Sequence, residues 1–211
     1  MKDADQGFYR RHVCGKLLAV FVFLAIAGVS SAAQGVAFQL DPQHTTINFT
    51  LGDALHTVHG TFRLKRGSLR FDRSSGDAAS GDPASGKLTG EIIVDAKSGE
   101  SGSGMRDHKM HREVLESDRY PEIAFRPDRV DGSVALQGKS SVRVHGIFAI
   151  HGSDHELTVP AEVEVFPDHW TATLHFVVPY ANWGMKNPST FFLRVSESVD
   201  IDLTTGGTVV R

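Results

Sequence analysis

The sequence predicts an all-β domain, an antiparallel sandwich or closed barrel, on three observations. Apolar residues recur at every second position through most of the chain, turn-forming residues separate these runs, and only one segment has the composition of a helix. Closure into a barrel is the form that leaves no sheet edge open to aggregation.

The first 33 residues read differently. Lys2, Arg10, Arg11 and Lys16 precede an uncharged apolar run from Leu17 to Val29, and Ser30, Ser31, Ala32 and Ala33 follow it. That order is a secretory signal peptide over 1–33, with cleavage expected near Ala33. The run is 13 residues long, short of the roughly 20 that cross a bilayer as a helix. No transmembrane segment is therefore expected in the mature protein. Tyr9 before Arg10-Arg11 and His12-Val13-Cys14 after it match a twin-arginine signal poorly, so general secretion is expected. Cys14 is the single cysteine and lies in the leader. The mature chain must then be held by its core, which a domain of about 170 residues can do.

The strands follow in order. Ile47, Phe49 and Leu51 alternate with polar residues, as do Val58, Gly60, Phe62 and Leu64, then Leu69 and Phe71, then Leu88, Gly90, Ile92 and Val94. Ile123 and Phe125 come next, then Val142 to Ile150, Leu157 to Val165, Trp170 to Val178, Phe192 to Val195 and finally Val199, Ile201 and Leu203. Arg66-Gly67-Ser68, Asp131-Gly132, His151-Gly152-Ser153-Asp154 and Pro167-Asp168 sit where hairpins would reverse the chain. The stretch Ser74 to Gly86, rich in Ser, Gly, Ala and Asp, reads as a long hairpin tip.

Met105 to Ser117 breaks the alternation and reads as a short helix lying over a barrel opening. Asp107, His111, Val114 and Leu115 share one side of it, with Met110 beside Val114. Arg106 and Asp107 at its start suit capping and an ion pair that fastens the helix, or polar contact with a ligand head group. Pro179 to Pro188 mixes aromatic and turn residues and reads as a second cover loop, in which Tyr180 and Trp183 are either packing or a ligand-facing lid.

Composition narrows the function. Removing the leader leaves 18 basic against 23 acidic residues, a charge of about −5. That argues against nucleic acid, whose binding rests on neutralising phosphates. The histidine pairs His108/His111 and His151/His155 could each chelate, but there is no His-Glu-x-x-His run and two ligands do not complete a zinc site. No Gly-x-Ser-x-Gly elbow is present. Neither catalytic residues, nor a metal, nor a cofactor are assigned. An apolar interior with Gly60, Gly90 and Gly146 between large residues reads equally as a filled core or as one left hollow by its small residues.

Several separated segments resemble the YceI-like family. They are Asp41-Pro42-Gln43-His44-Thr45 before an alternating strand, Val58-His59-Gly60-Thr61-Phe62, Met105-Arg106-Asp107-His108 with Tyr120-Pro121-Glu122-Ile123-Ala124-Phe125 after it, and Val144-His145-Gly146-Ile147-Phe148. The likeness spans about Phe38 to Leu203. The helix departs from the family pattern: His108-Lys109-Met110-His111 stands where a His-Leu pair is usual, and Val114-Leu115 where two Phe are.

What the resemblance implies is an extended lipocalin-like barrel of eight antiparallel strands over 37–205. It implies export to the periplasm, or secretion where the host lacks an outer membrane, and an elongated cavity for a polyisoprenoid or similar amphipathic lipid, held without catalysis. On that reading Phe49, Phe62, Ile92, Phe125, Phe148, Phe176, Trp183 and Phe192 face the ligand, while Arg106, Asp107, His108 and His111 take its head group or anchor the helix. The alternatives are a filled structural or stress-associated barrel and a histidine-dependent metalloenzyme. Oligomeric state is left open.

Overall fold

The computed structural model describes residues 35–52, 57–73, 86–191 and 194–210. The leader over 1–33, most of the stretch from Ser74 to Gly86, and Phe192 lie outside them.

Nine strands are present among the described residues: β1 Val36–Leu40, β2 Thr46–Gly52, β3 Thr57–Arg73, β4 Gly86–Glu100, β5 Glu122–Asp131, β6 Gly138–Ile150, β7 Ser153–Val165, β8 His169–Val178 and β9 Val199–Val210. They occupy eight positions of a closed antiparallel barrel. The ring runs β2-β3-β4-β5-β6-β7-β8-β9 and returns from β9 to β2. β1 shares the position of β2: both lie between β3 and β9, with Phe38 opposite Leu69 and Val209, and Ile47 opposite Phe62 and Leu203.

A single 3₁₀ turn, Pro42–His44, separates the two halves. Its form follows from Asp41-Pro42: proline suits the first turn, where its missing N–H costs nothing, and the Asp41 carboxylate accepts the N–H of Gln43 at 2.8 Å. That bond and the His44 ring at 2.6 Å hold the Asp41 carboxyl below its ordinary value. Thr45 then donates to the Asp41 carbonyl and meets the Thr205 hydroxyl on β9, each at 2.8 Å.

The expected hairpin at Arg66-Gly67-Ser68 is not a turn. β3 runs through it as one strand of 17 residues. The register against β4 shifts between Leu64 and Arg66, so Lys65 is an extra residue in a bulge. Inward positions are therefore even-numbered up to Leu64 and odd-numbered from Gly67, a phase change that reads locally like a chain reversal. Glycine at 67 leaves room for the Leu40 side chain, which a Cβ there would approach to 2.9 Å. A second bulge at Asp128 does the same in β5, after Pro127, where the missing N–H is tolerated.

The other turns form as expected. His151 and Gly152, both at positive φ (53° and 75°), make a two-residue connection between Ile150 and Ser153. Phe166 donates to the His169 carbonyl at 2.9 Å across Pro167-Asp168. Of the strand expected over Phe192–Val195 only the last two residues are described, and there Val195 makes a single bridge and Arg194 none. β9, by contrast, continues past Leu203 to Val210.

The glycines of the inner face do not hollow the barrel. The space beside Gly60 is filled by the Phe49 ring, and a Cβ at Gly146 would lie 2.5 Å from the Arg126 carbonyl oxygen and 2.6 Å from the Pro127 Cα. Substituting Gly146 with Val should lower unfolding stability by about 3 kcal/mol, since the obstruction is backbone that cannot rotate away; denaturant titration of the purified variant measures it.

Candidate functional site: an apolar chamber under a helical cap

The buried side chains form two clusters at opposite ends of the barrel. One gathers Phe38, Leu40, Phe71, Leu88, Val165 and Trp170 where the odd strands from β3 onward end. The other gathers Ala96, Leu115, Ile123, Ile150, Val178 and Met185 where they begin. Between and along them runs a cavity of about 390 Å³ whose wall is almost wholly apolar. The interior is thus a chamber rather than a filled core, in the size range of small-molecule sites.

Phe49, Phe62, Ile92, Phe125, Phe148 and Phe176 all line it. Phe49 and Phe62 stand 5.5 Å apart between ring centres, and Phe148 meets Phe176 edge-on at 6.3 Å. Trp183 is not in the wall. It lies behind Phe148, 5.8 Å away, and stacks flat on His155 at 4.2 Å. The Nε2 of His155 and the Nε1 of Trp170 are buried and find no hydrogen-bond partner among the described residues.

The cap is shaped by the segment expected to be helical over 105–117. It forms α1 Gly104–Lys109 and continues as a wider π-type turn over Met110–Val114. Leu115 donates to Met110 at 2.8 Å and Ser117 to His111 at 3.0 Å, and Glu116 at φ 44° ends the run. The wider pitch turns positions 110, 114 and 115 to one side, so Met110, Val114 and Leu115 all face the chamber.

The polar residues of this segment divide in role. Asp107 accepts both the N–H and the hydroxyl of Ser101, at 2.8 and 2.6 Å. Arg106 donates to the Ser101 hydroxyl and carbonyl at 3.2 and 3.0 Å. The helix is thus fastened through Ser101, and the expected ion pair is replaced by hydrogen bonds; Ser103 at the cap position makes no side-chain bond. His111 donates from Nε2 to the Gly99 carbonyl at 2.8 Å, and its Nδ1 meets the Ser117 hydroxyl at 3.0 Å. A carbonyl can only accept, which places a proton on Nε2. His108 is exposed, 3.5 Å from Arg112. Arg106 lines the cavity; Asp107, His108 and His111 do not.

Lys109 also lines the cavity, a position that the sequence reading did not single out. Its ammonium donates to the Pro188 carbonyl of the second cover loop at 2.9 Å. Lys186 of that loop pairs with Glu113 at 2.6 Å. Tyr180, the buried second residue of the loop, donates to the Ser196 carbonyl, and burial followed by the nearby Glu197 raises its phenol above the ordinary value. Helix and loop thus form one lid across the same end.

The histidine pairs do not converge. His108 and His111 bind different groups, while His151 meets Glu116 at 3.2 Å and His155 lies under Trp183. Among the described residues no three His, Cys, Asp or Glu side chains gather as a metal site, and no helix is long and apolar enough to cross a membrane.

The YceI-like domain matches residues 38–206 by its family model. The chain belongs to the YceI-like family. Three solved structures share the fold. BcnA of Burkholderia cenocepacia is 18% identical with a TM-score of 0.60, over 80% of this chain and 99% of its own. A polyisoprenoid binding domain from Saccharophagus degradans implicated in plant cell wall breakdown is 15% identical with a TM-score of 0.57, over 82% and 98%. The YceI protein of Campylobacter jejuni is 14% identical with a TM-score of 0.51, over 73% and 86%. A search of curated proteins returns no match. The nine described strands on eight positions are this family member's version of an eight-stranded barrel.

The Lys186–Glu113 pair gives the lid a pH dependence. First the hydrogen bond and then the charge of Lys186 hold the Glu113 carboxyl below its ordinary value of 4.5. A carboxyl lowered in the folded state stabilises above its unfolded value and stops doing so as pH falls through the folded one. Amide protection in 104–117, taken relative to intrinsic exchange at each pH, should therefore fall below about pH 4.5 more in the wild type than in a Glu113→Gln variant, which lacks the titrating group.

Proposed function

We propose that this YceI-like protein is an exported carrier or sequestering protein that holds a polyisoprenoid or similar long apolar lipid within its barrel and catalyses no reaction. The observation that carries the reading is the chamber itself, walled by Phe49, Phe62, Phe125, Phe148 and Phe176 and continuous between the two ends. Apolar walls supply hydrophobic and dispersion energy, at about 25 cal/mol per Å² removed from water, without selecting a particular hydrogen-bonding substrate. A chain-like ligand suits an elongated space. Along β8, Trp170 to Val178 alone spans about 26 Å of strand at roughly 3.3 Å per residue.

Two further observations support the reading. The polyisoprenoid binding domain of Saccharophagus degradans shares the fold. The basic, apolar and small-residue order of the first 33 residues supports export, to the periplasm where the host has an outer membrane and otherwise to the medium.

Solvent extraction of the purified mature protein followed by mass spectrometry should release a lipid, and titration with a polyprenol should saturate. Replacing Phe148 or Phe176 with Asp should weaken uptake by about tenfold or more, because a carboxylate in the wall must be desolvated by the lipid chain; far-UV circular dichroism checks that each variant still folds. Absence of both extracted lipid and saturable binding in the wild type would sink the proposal.

A further inference from the structure

Two neighbouring strands of the ring part company at the lid end. β7 pairs with β6 over its whole length, and β8 does so with β9. The ladder between β7 and β8 joins only Ala161 through Val165 to Leu174 through Trp170. Toward the lid, Ser153 to Pro160 and His175 to Val178 stay extended yet make no pair with each other among the described residues. Pro160 is the first residue of β7 beyond the ladder and has no N–H to donate. The ladder between β4 and β5 is also interrupted, between Lys87 and Ile92, but it resumes on both sides.

The parting lies along the chamber. Continued register would set Val159 opposite Phe176 and Leu157 opposite Val178, and all four line the cavity. At its base Ala161, Leu174 and Leu203 line both the cavity and a depression on the outer surface. Val177, 45% exposed beside the parting, is the one apolar residue that β8 turns outward. Trp183 closes the lid side. Its ring stacks flat on His155, an inward position of β7 at a height where β8 has already ended, and meets Phe148 of the chamber wall. The His155 Nε2 is buried without a hydrogen-bond partner among the described residues, and the indole is held by these ring contacts.

Two routes lead out of the chamber at this end, and they differ in what must break. Lifting the lid separates Lys109 from the Pro188 carbonyl and Lys186 from Glu113, and Asp107, Arg106 and His111 fasten the helix further. Between the parted halves of β7 and β8 there is no ladder to break, and the stack of Trp183 on His155 is what must slide. A side-chain rotation is fast beside the rearrangement of a helix and a loop together. We propose that the parting of β7 and β8 is the portal through which an apolar chain passes into and out of the chamber, with Trp183 on His155 as its gate. The inference rests on the lipid-binding reading and adds to it a route and the two residues that control it. A slot between strands admits a ligand one chain thick without unfolding either strand.

The test bridges strands chemically in the full mature protein, whose sequence after the leader has no cysteine. Three cysteine pairs are compared: Thr158→Cys/Val177→Cys across the parting, Glu162→Cys/Thr173→Cys across the paired ladder, and Glu113→Cys/Lys186→Cys between helix and loop. Each pair is joined by a short bis-methanethiosulfonate and measured against its own reduced form, with mass spectrometry confirming the bridge. Stopped flow follows uptake of geranylgeraniol and its release to phosphatidylcholine vesicles. Bridging the parting should slow both rates about tenfold while equilibrium affinity stays within about twofold, and reduction should restore the rates. The ladder and lid bridges should change either rate by less than about twofold, and Trp183→Ala should speed release about tenfold. Rates unchanged by the bridge across the parting, equal or greater slowing by the lid bridge, or release unaffected by Trp183→Ala would each overturn the inference and leave lipid binding standing. Absence of saturable geranylgeraniol binding in the wild type would overturn both.

Discussion

The structure depends on keeping one face of every strand apolar around a closed ring. With a side-chain period of two, a single slip exposes the whole face of a strand to the wrong side. The register shifts at several points, and in β3 and β5 the inward face is kept by one extra residue each, Lys65 and Asp128. Because of those bulges Leu64 and Leu69 on β3, and Pro127 and Val130 on β5, all reach the chamber despite their mismatched spacing. The extra residues point outward to partners in water. Lys65 meets Glu122 at 2.8 Å and Asp128 meets His145 at 2.8 Å. The chamber, the lid that covers it and the cations at its rim all presuppose this wall.

Much of the fold was legible in the sequence because alternation reports which face is buried without reference to partners. β2, β6, β7 and β8 follow the expected runs, and the reversals at Asp131-Gly132, His151-Gly152 and Pro167-Asp168 lie where positive φ or proline chemistry calls for them. The errors have physical causes. Arg66-Gly67-Ser68 has the composition of a turn, but its glycine serves the packing of Leu40, a residue of β1 far off in sequence. β1 itself was missed because five residues interrupted by Asp41-Pro42 carry little periodic signal. Whether the inner-face glycines open the wall was left undecided by the sequence, and they prove to be sites where Phe49 or neighbouring backbone comes close.

The chamber was legible in its wall and less so in its lid. Phe148 and Phe176 are placed by strand parity alone, so six expected side chains reach the cavity. Trp183 lies on an irregular loop, where no period says which way a ring turns, and it packs on His155 instead. Asp107 and His111 could be recognised as polar residues of a helix, but their use as fasteners depends on Ser101, Gly99 and Ser117, which only the folded chain brings together. Lys109 carried no signal because a lysine on a short helix is ordinarily solvated. Its place in the wall follows from the wider turn after it and from the Pro188 carbonyl.

The way the ring shuts governs when the protein can exist as a barrel at all. Thr45 meets Thr205 across 160 residues of chain, and β9 supplies partners to β1, β2 and β8. Contacts so distant are slow to form, since the loop entropy must be lost before they contribute. Until β9 has emerged during synthesis, the strands before it can form only an open sheet whose inner face, rich in Phe, is exposed to other chains. The apolar lining that suits a lipid once the ring is closed is, in the unfinished chain, a surface in need of protection.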